Sequence, residues 1–243
     1  TNPYDGQSMG VFAEKCADKY KFPREQQDAY SIESVKRAQA AISSGAFAAE
    51  IVPVKVAGRK GDVEYATDEQ PGKSDPAKVP TLKPAFRKDG TVTAASSSSI
   101  SDGAAATVLL DEATAKKLGV KPLARIVAHA TQSQEPEWFT TAPVVAIQKV
   151  LDKAGWKVAE VDLFEVNEAF AVVAMAPMQD LGITHDKLNV NGGACALGHP
   201  IGASGARLVV TLIHALKARG GKRGVASLCI GGGEATALAI ELV

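Results

Sequence analysis

Between Pro23 and Gly45 apolar residues return at three- and four-residue spacing, with Ile32, Val35, Ala38 and Ile42 on one face. Pro23 at the start, Glu25 and Asp28 in the early turns and Gly45 at the end predict a helix with that face buried. The period then shortens: Glu50 to Val56 alternates and is rich in Val and Ile, which predicts a strand. Onward to Pro84 the chain is dense in Gly, Pro, Asp and Lys, the pattern of a long functional or mobile loop. Thr91 to Ala94 and the apolar run Ala105 to Leu110 predict strands on either side of a polar turn from Ser96 to Gly103. A short helix then closes at Gly119.

After Pro122 the elements alternate. Leu123 to Ala130 predicts a strand. Ala142 to Ala154 places Val144, Ile147, Val150 and Leu151 on one helical face and stops at Gly155, and Val161 to Val166 is again a strand. A helix from Glu168 follows, then a Gly-rich turn over 192–205, a helix to about Arg219, and closing strands at Val225 to Cys229 and Ala235 to Leu242. Such an order implies a layered α/β domain from about residue 123 to 243. The helix after Gly205 is apolar nearly all round, through Leu208, Val209, Val210, Leu212, Ile213, Ala215 and Leu216. It is expected to lie between two sheets, the second supplied partly by residues outside this chain.

Composition narrows the function. The 243 residues carry 27 Lys+Arg against 27 Asp+Glu, so no basic field exists to recruit nucleic acid. With 46% apolar and 22% charged residues the chain is expected to fold rather than stay disordered. No apolar run reaches membrane-span length, and Thr1 to Asp5 lacks the layout of a signal peptide. The chain opens without an initiator methionine, and a preceding segment is expected. Cys16, Cys195 and Cys229, odd in number and widely spaced, make no disulfide framework and suit a reducing, cytoplasmic setting.

Reactive residues concentrate in four segments near the ends of predicted strands, where open α/β sheets place their sites. They are Asn167-Glu168-Ala169-Phe170, the run Asn191 to Pro200, Cys229-Ile230-Gly231-Gly232-Gly233, and Ala95 to Ser99. A thiol at a strand end followed by three glycines lets backbone N–H groups turn toward whatever the sulfur meets, as an oxyanion hole requires. His199, between Gly198 and Pro200 at a helix entrance, and Cys229 suit proton transfer near neutral pH. Plainer roles stand beside these: Asn167 as a helix cap, Phe170 as core, Cys229 as a small buried apolar residue, the glycines as a tight turn. Cys195 and His199 lack the second ligand pair a zinc site needs, so no metal is expected. The Gly-rich turn lacks G-x-G-x-x-G spacing after a strand, against a dinucleotide site. His129, His185 and His214 read as structural or surface residues, and Cys16 as packing.

Together the segments resemble the thiolase family. Asn167-Glu168-Ala169-Phe170, the run from Asn189 through Gly193 and from Gly198 to Arg207, and Cys229-Ile230-Gly231-Gly232-Gly233 stand in that family's order and spacing. Ser8-Met9-Gly10, Gln26 to Tyr30 and Ser101-Asp102-Gly103-Ala104 extend the resemblance over essentially the whole chain. It implies a thiolase-like layered αβαβα fold of the α/β class. Residues 1–100 would then be a substrate-covering loop region, 101–121 closing elements of an N-terminal domain, and 123–243 the C-terminal domain. The implied reaction is reversible Claisen condensation of acetyl-CoA, or thiolytic cleavage of a short-chain 3-ketoacyl-CoA.

By the same resemblance His199 activates the nucleophilic thiol and, with a water on Asn167, polarises a thioester oxygen. Cys229 moves the α-proton and the Gly231 N–H steadies an oxyanion. Coenzyme A, a substrate and not a tightly bound cofactor, would touch Ser8, Met9, Ser98, Ala169 and Phe170. Ser8 stands where biosynthetic members often have His, which leaves chain-length preference open. Gly72 and Lys73 follow Asp68-Glu69-Gln70-Pro71 where many members have Arg, so Lys73 would take the phosphate. None of Cys16, Cys195 and Cys229 has the local sequence of the family's acylated cysteine, and the chain alone is expected to be inactive. A homodimer or homotetramer binding acyl-CoA, without nucleic acid or membrane, is implied. A ketoacyl synthase relative and a noncatalytic CoA- or lipid-binding protein are the alternatives; Cys229 with Gly231 argues against the first.

Overall fold

The computed structural model describes residues 1–59 and 61–243. Helices α1 (Met9–Tyr20) and α2 (Arg24–Ser43) come first, then a hairpin of β1 (Val54–Val56) and β2 (Val63–Tyr65), and helix α3 (Glu69–Lys73). Helix α4 (Glu112–Leu118) leads into β3 (Ala124–Ser133), α5 (Ala142–Ala154), β4 (Leu163–Val166) and α6 (Ala171–Leu181). The short α7 (Ala194–Leu197), α8 (Ile201–Arg219), β5 (Arg223–Ile230) and β6 (Glu234–Leu242) complete the chain. The α/β class expected from the sequence is borne out.

Four strands form one sheet in the order β3-β6-β5-β4. The β3–β6 and β6–β5 pairs are antiparallel, and β5–β4 is parallel, with Val166 opposite Ser227. Period-two alternation sends Phe164 and Val166 of β4, and Val225 and Cys229 of β5, into the core shared with α1, α5 and α6. Leu163 and Ala226 point the other way, onto Leu208, Leu212 and Leu216 of α8. With helices on both faces β4 is buried throughout, and it reads in sequence as a continuous rather than an alternating run.

Several expectations need correction. The strand expected over Glu50 to Val56 forms only at Val54–Val56, in a hairpin whose residues are exposed. Thr91 to Ala94 makes a single bridge, Thr93 to Pro84, and the helix expected from Glu168 begins at Ala171. Ala105 to Leu110 is no strand: Val108 is 86% and Leu109 70% exposed. A run of strand-forming residues becomes a strand only where a neighbour accepts its backbone hydrogen bonds, and the described residues offer none.

Helix α8 is long and apolar enough to span a membrane by length and composition alone. Here it lays Leu208, Leu212 and Leu216 on the sheet, while Val209, Val210 and Ile213 are half-buried and Ile201 is 83% exposed. Among the described residues a sheet covers one face of α8; the second sheet is expected partly from residues outside this chain.

Candidate active site

The parallel pairing of β4 and β5 carries their carboxyl ends to one edge of the sheet, where open α/β folds build sites. Asn167 follows β4 directly, fully buried, its N–H donating to the Ser227 carbonyl at 2.9 Å. Cys229 sits near the end of β5, and Gly231 begins the turn into β6.

The Gly-rich run delivers His199 to Asn167, with Nε2 3.3 Å from Asn167 Nδ2. Its other ring nitrogen, Nδ1, lies 2.5 Å from Ser204 Oγ in the first turn of α8. Gly198, at φ 93°, makes the turn: a Cβ there would be strained and would collide with the Ser101 hydroxyl. Burial, with Arg207 adding to it, lowers the His199 pKa and favours the neutral imidazole.

The polar run 96–99 packs over this edge. The Ser98 N–H and hydroxyl both donate to the Ala169 carbonyl at 3.1 Å. The Ala171 N–H donates to the Ser96 carbonyl, and the His199 N–H to the Ser99 carbonyl. Phe170 is buried and meets Phe86 edge-on at 5.8 Å, and the Phe86 ring lies against Gly10. Met9, half-buried, brings Cε within 3.7 Å of where a Gly231 side chain would start; Ser8 beside it is exposed at the head of α1. Asn167 thus contacts His199 and Ser98 contacts Ala169, Phe170 follows Ala169 in the same loop, Met9 adjoins Gly231, and Cys229 shares their sheet edge. Lys73 stands apart on α3, exposed, with Nζ 3.4 Å from Glu69.

The three thiols are all free. Burial pushes Cys229 up to about 12 and Cys16 up to about 11. Cys195 is held well above the ordinary thiol range by burial and by Glu168, whose carbonyl accepts its Sγ–H at 3.7 Å. Among the described residues no thiol hydrogen-bonds His199, and no group of three His, Cys, Asp or Glu is arranged to hold a metal ion.

Sequence reasoning passed over the residue that binds the site together. Glu168 is fully buried and accepts hydrogen bonds from Tyr30 (2.8 Å), Ser34 (2.7 Å), Asn189 Nδ2 (2.8 Å) and the Cys195 N–H (3.0 Å). Asn189, at φ 47°, also closes the free edge of β4, accepting from the Val166 N–H and donating to its carbonyl, each at 2.8 Å. The signal for it in the sequence is a stripe of small polar residues on α2, Ser31 and Ser34 beside Tyr30, on a face that apolar spacing alone defined. Two surface hollows of about 350 and 440 Å³ lie elsewhere, around Tyr20 and Trp138 and around Tyr30 and His185. Neither is lined by His199, Asn167 or Cys229, which stand at an open sheet edge.

The family model for the thiolase N-terminal domain matches residues 1–113, and that for the thiolase C-terminal domain matches residues 120–242. The chain belongs to the thiolase family. It is 51% identical over 243 residues to acetyl-CoA acetyltransferase 2 of Arabidopsis thaliana, covering 99% of this chain and 60% of that protein. The crystal structure of the Bacillus anthracis acetyl-CoA acetyltransferase superposes with a TM-score of 0.97 at 44% identity, over all of this chain and 62% of that one. The Acat5 thiolase from Ascaris suum, solved in complex with coenzyme A, gives 0.90 at 41% identity, with the same coverage. The thiolase chain spans about three fifths of the curated relatives it matches, from 58% to 62% of their length.

Proposed function

We propose that the chain carries the base and the second thiol of an acetyl-CoA C-acetyltransferase, which runs Claisen condensation of acetyl-CoA or thiolysis of a short-chain 3-ketoacyl-CoA. The contact between His199 and Asn167, on the sheet edge that also bears Cys229 and Gly231, carries this reading. A neutral imidazole kept from protonating by burial is suited to take the proton of an attacking thiol. Cys229, kept a thiol at neutral pH, can protonate the enolate released in cleavage; in condensation its thiolate takes the same α-proton back. That removal is workable only with the thioester oxygen steadied, the role assigned to a water on Asn167 together with His199, whose Nε2 donates once it has taken the proton of the attacking thiol. The Gly231 N–H is assigned the acyl-enzyme oxyanion. Ser8, Met9, Ser98, Ala169 and Phe170 are assigned to coenzyme A, a substrate and not a resident cofactor, with Lys73 at its phosphate end. We keep residues 1–100 as the substrate-covering region, 101–121 as closing elements of the N-terminal domain and 123–243 as the C-terminal domain.

We assign the acylated cysteine to none of the three present: none has the local sequence of the family's nucleophile, and among the described residues none hydrogen-bonds His199. The pure chain with coenzyme A and acetoacetyl-CoA should give no thiolysis, and calorimetry should detect coenzyme A binding. Measurable thiolysis would overturn the assignment of the nucleophile; absence of binding would overturn the ligand. The free thiols support a cytoplasmic setting. The exposed Val54, Val56, Val63 and Tyr65 of the β1–β2 hairpin support self-association as a homodimer or homotetramer in acyl-CoA and fatty acid metabolism.

A further inference from the structure

We propose that Ser204 is a positioning residue that sets the tautomer of His199, keeping the ring proton on Nδ1 and leaving Nε2 as the lone pair that faces Asn167. The proposal rests on the reading of His199 as the site's base, and it concerns which nitrogen acts.

Ser204 is 1% exposed, so no bulk water competes for its hydroxyl. Its Oγ lies 2.5 Å from His199 Nδ1 and 3.0 Å from the Pro200 carbonyl four residues back. A hydroxyl owns one proton. Given to the Pro200 carbonyl, it leaves Oγ as an acceptor, so Nδ1 must donate. Nε2 is then unprotonated and accepts from Asn167 Nδ2 at 3.3 Å. Every contact in this chain pairs one donor with one acceptor, and the polarity runs one way, from Asn167 through the imidazole and Ser204 to the backbone.

With the proton on Nε2 the chain breaks in two places. Nε2–H would face the amide donors of Asn167, and Ser204 would have to turn from Pro200 to donate to Nδ1. Asn167 could rotate its amide to offer Oδ1, but the bond to Pro200 would still be lost. The hydrogen bond made by one ring nitrogen decides which proton the other carries. Burial of the ring, reinforced by Arg207, favours the neutral form to which the choice of tautomer applies. The geometry also suits the chemistry. Nδ1 points into the buried first turn of α8, and Nε2 meets the Asn167 side chain at the carboxyl end of β4, where the reacting groups are assigned.

The test reads the ring nitrogens of the chain labelled with ¹⁵N-histidine, above the pH at which His199 titrates. The His199 signals are identified by their loss in His199→Gln. The expected spectrum has a protonated, pyrrole-type Nδ1 and an unprotonated, pyridine-type Nε2. Ser204→Ala should lose this signature and show a mixture or a protonated Nε2, while Ser204→Thr, which keeps the hydroxyl, should retain it. A protonated Nε2 in the parent chain, or an unchanged signature in Ser204→Ala, overturns the proposal. The parent spectrum stays decisive if a variant does not fold. No arm depends on acyl transfer, so a chain that binds no coenzyme A yet shows the Nδ1–H tautomer would sink the functional reading and leave this one standing.

Discussion

Tyr30 donates its hydroxyl proton to Glu168 Oε1 across 2.8 Å, joining helix α2 to the loop that holds Asn167. Both residues are buried, and the same hydroxyl accepts from Asn189 Nδ2 at 3.2 Å. Tyr30→Phe keeps the ring and removes both bonds. A hydrogen bond to a charged group is worth about 1.5–3 kcal/mol, so a loss of about that size is expected, eased by the three donors that remain to Glu168. Urea unfolding should show a lower midpoint at unchanged slope. An unchanged midpoint would mean that Glu168 does not depend on α2.

Gly193 sits against the same carboxylate: a Cβ built there would collide with Glu168 Cδ and both carboxylate oxygens. The position demands glycine because of close approach, since its φ of −137° is open to any residue. Gly193→Ala must displace Glu168 from four hydrogen bonds or move the loop that carries His199. A loss of at least about 1–3 kcal/mol, the usual cost of overpacking, is expected in the thermal midpoint. Indifference to the methyl group would show that the loop relaxes freely.

These two positions mark where sequence legibility ends. Helix α5 was legible to the residue, because Val144, Ile147, Val150 and Leu151 repeat at helical spacing and Gly155 ends it in the left-handed conformation, φ 69°. Strands β5 and β6 were legible within a few residues through their apolar content. The hairpin strand Val63–Tyr65 left no burial pattern, being exposed on both faces, and Ala105 to Leu110 left a strong pattern without a partner. At the site, Asn167, His199 and Cys229 stood out because reactive side chains beside glycines at strand ends are unusual. Glu168 and Ser204 did not. A buried carboxylate is recognisable only by its donors, and two of these lie 134 and 138 residues away in the chain.

Thiol reactivity follows from burial. Cys16 and Cys229 are buried, Cys195 is half-buried, and all three are held above the ordinary thiol range. Since the thiolate is the species that reacts, alkylation by iodoacetamide at neutral pH should be slow at every cysteine until denaturant is added. One rapidly labelled thiol in the folded chain would identify a nucleophile and contradict the assignment of the acylated cysteine to a residue outside these three.

A pH effect on stability is expected from Glu165. It is 1% exposed and its carboxyl is raised from 4.5 to about 8 by burial, against the pull of Arg207 and with Glu168 and Glu50 adding to the rise. The Arg207 guanidinium lies 3.4 Å away, and Glu165 Oε1 has no partner among the described residues. Between pH 4.5 and about 8 the folded state therefore binds more protons than the unfolded state. By linkage the contribution of this group is fully present below 4.5 and is lost as pH rises through about 8. Glu165→Gln cannot ionise, so its stability relative to the parent should climb across that window. At about 1.4 kcal/mol for each pH unit between the unfolded and folded values, the climb is on the order of a few kcal/mol. A flat difference between about pH 5 and 8 would show that the carboxylate is adequately paired.

The final prediction concerns the charge state of His199. Asn167 presents a neutral amide 3.3 Å from Nε2, and burial with Arg207 already disfavours the imidazolium. Asn167→Asp keeps the size and replaces that amide by a carboxylate. An opposite charge this close favours the protonated ring, so the His199 titration midpoint should move up, by about 1–3 pH units where such pairs form. Burial of the new carboxylate resists the change, and the variant should be less stable where that carboxylate would have to ionise without a charged ring beside it. Proton NMR of the His199 ring against pH measures the midpoint directly. A raised midpoint means that Asn167 keeps the imidazole neutral by having no charge, the state needed to accept a proton from a thiol. An unmoved midpoint would mean that the two side chains are not coupled, and the contact between His199 and Asn167 would no longer carry the functional reading.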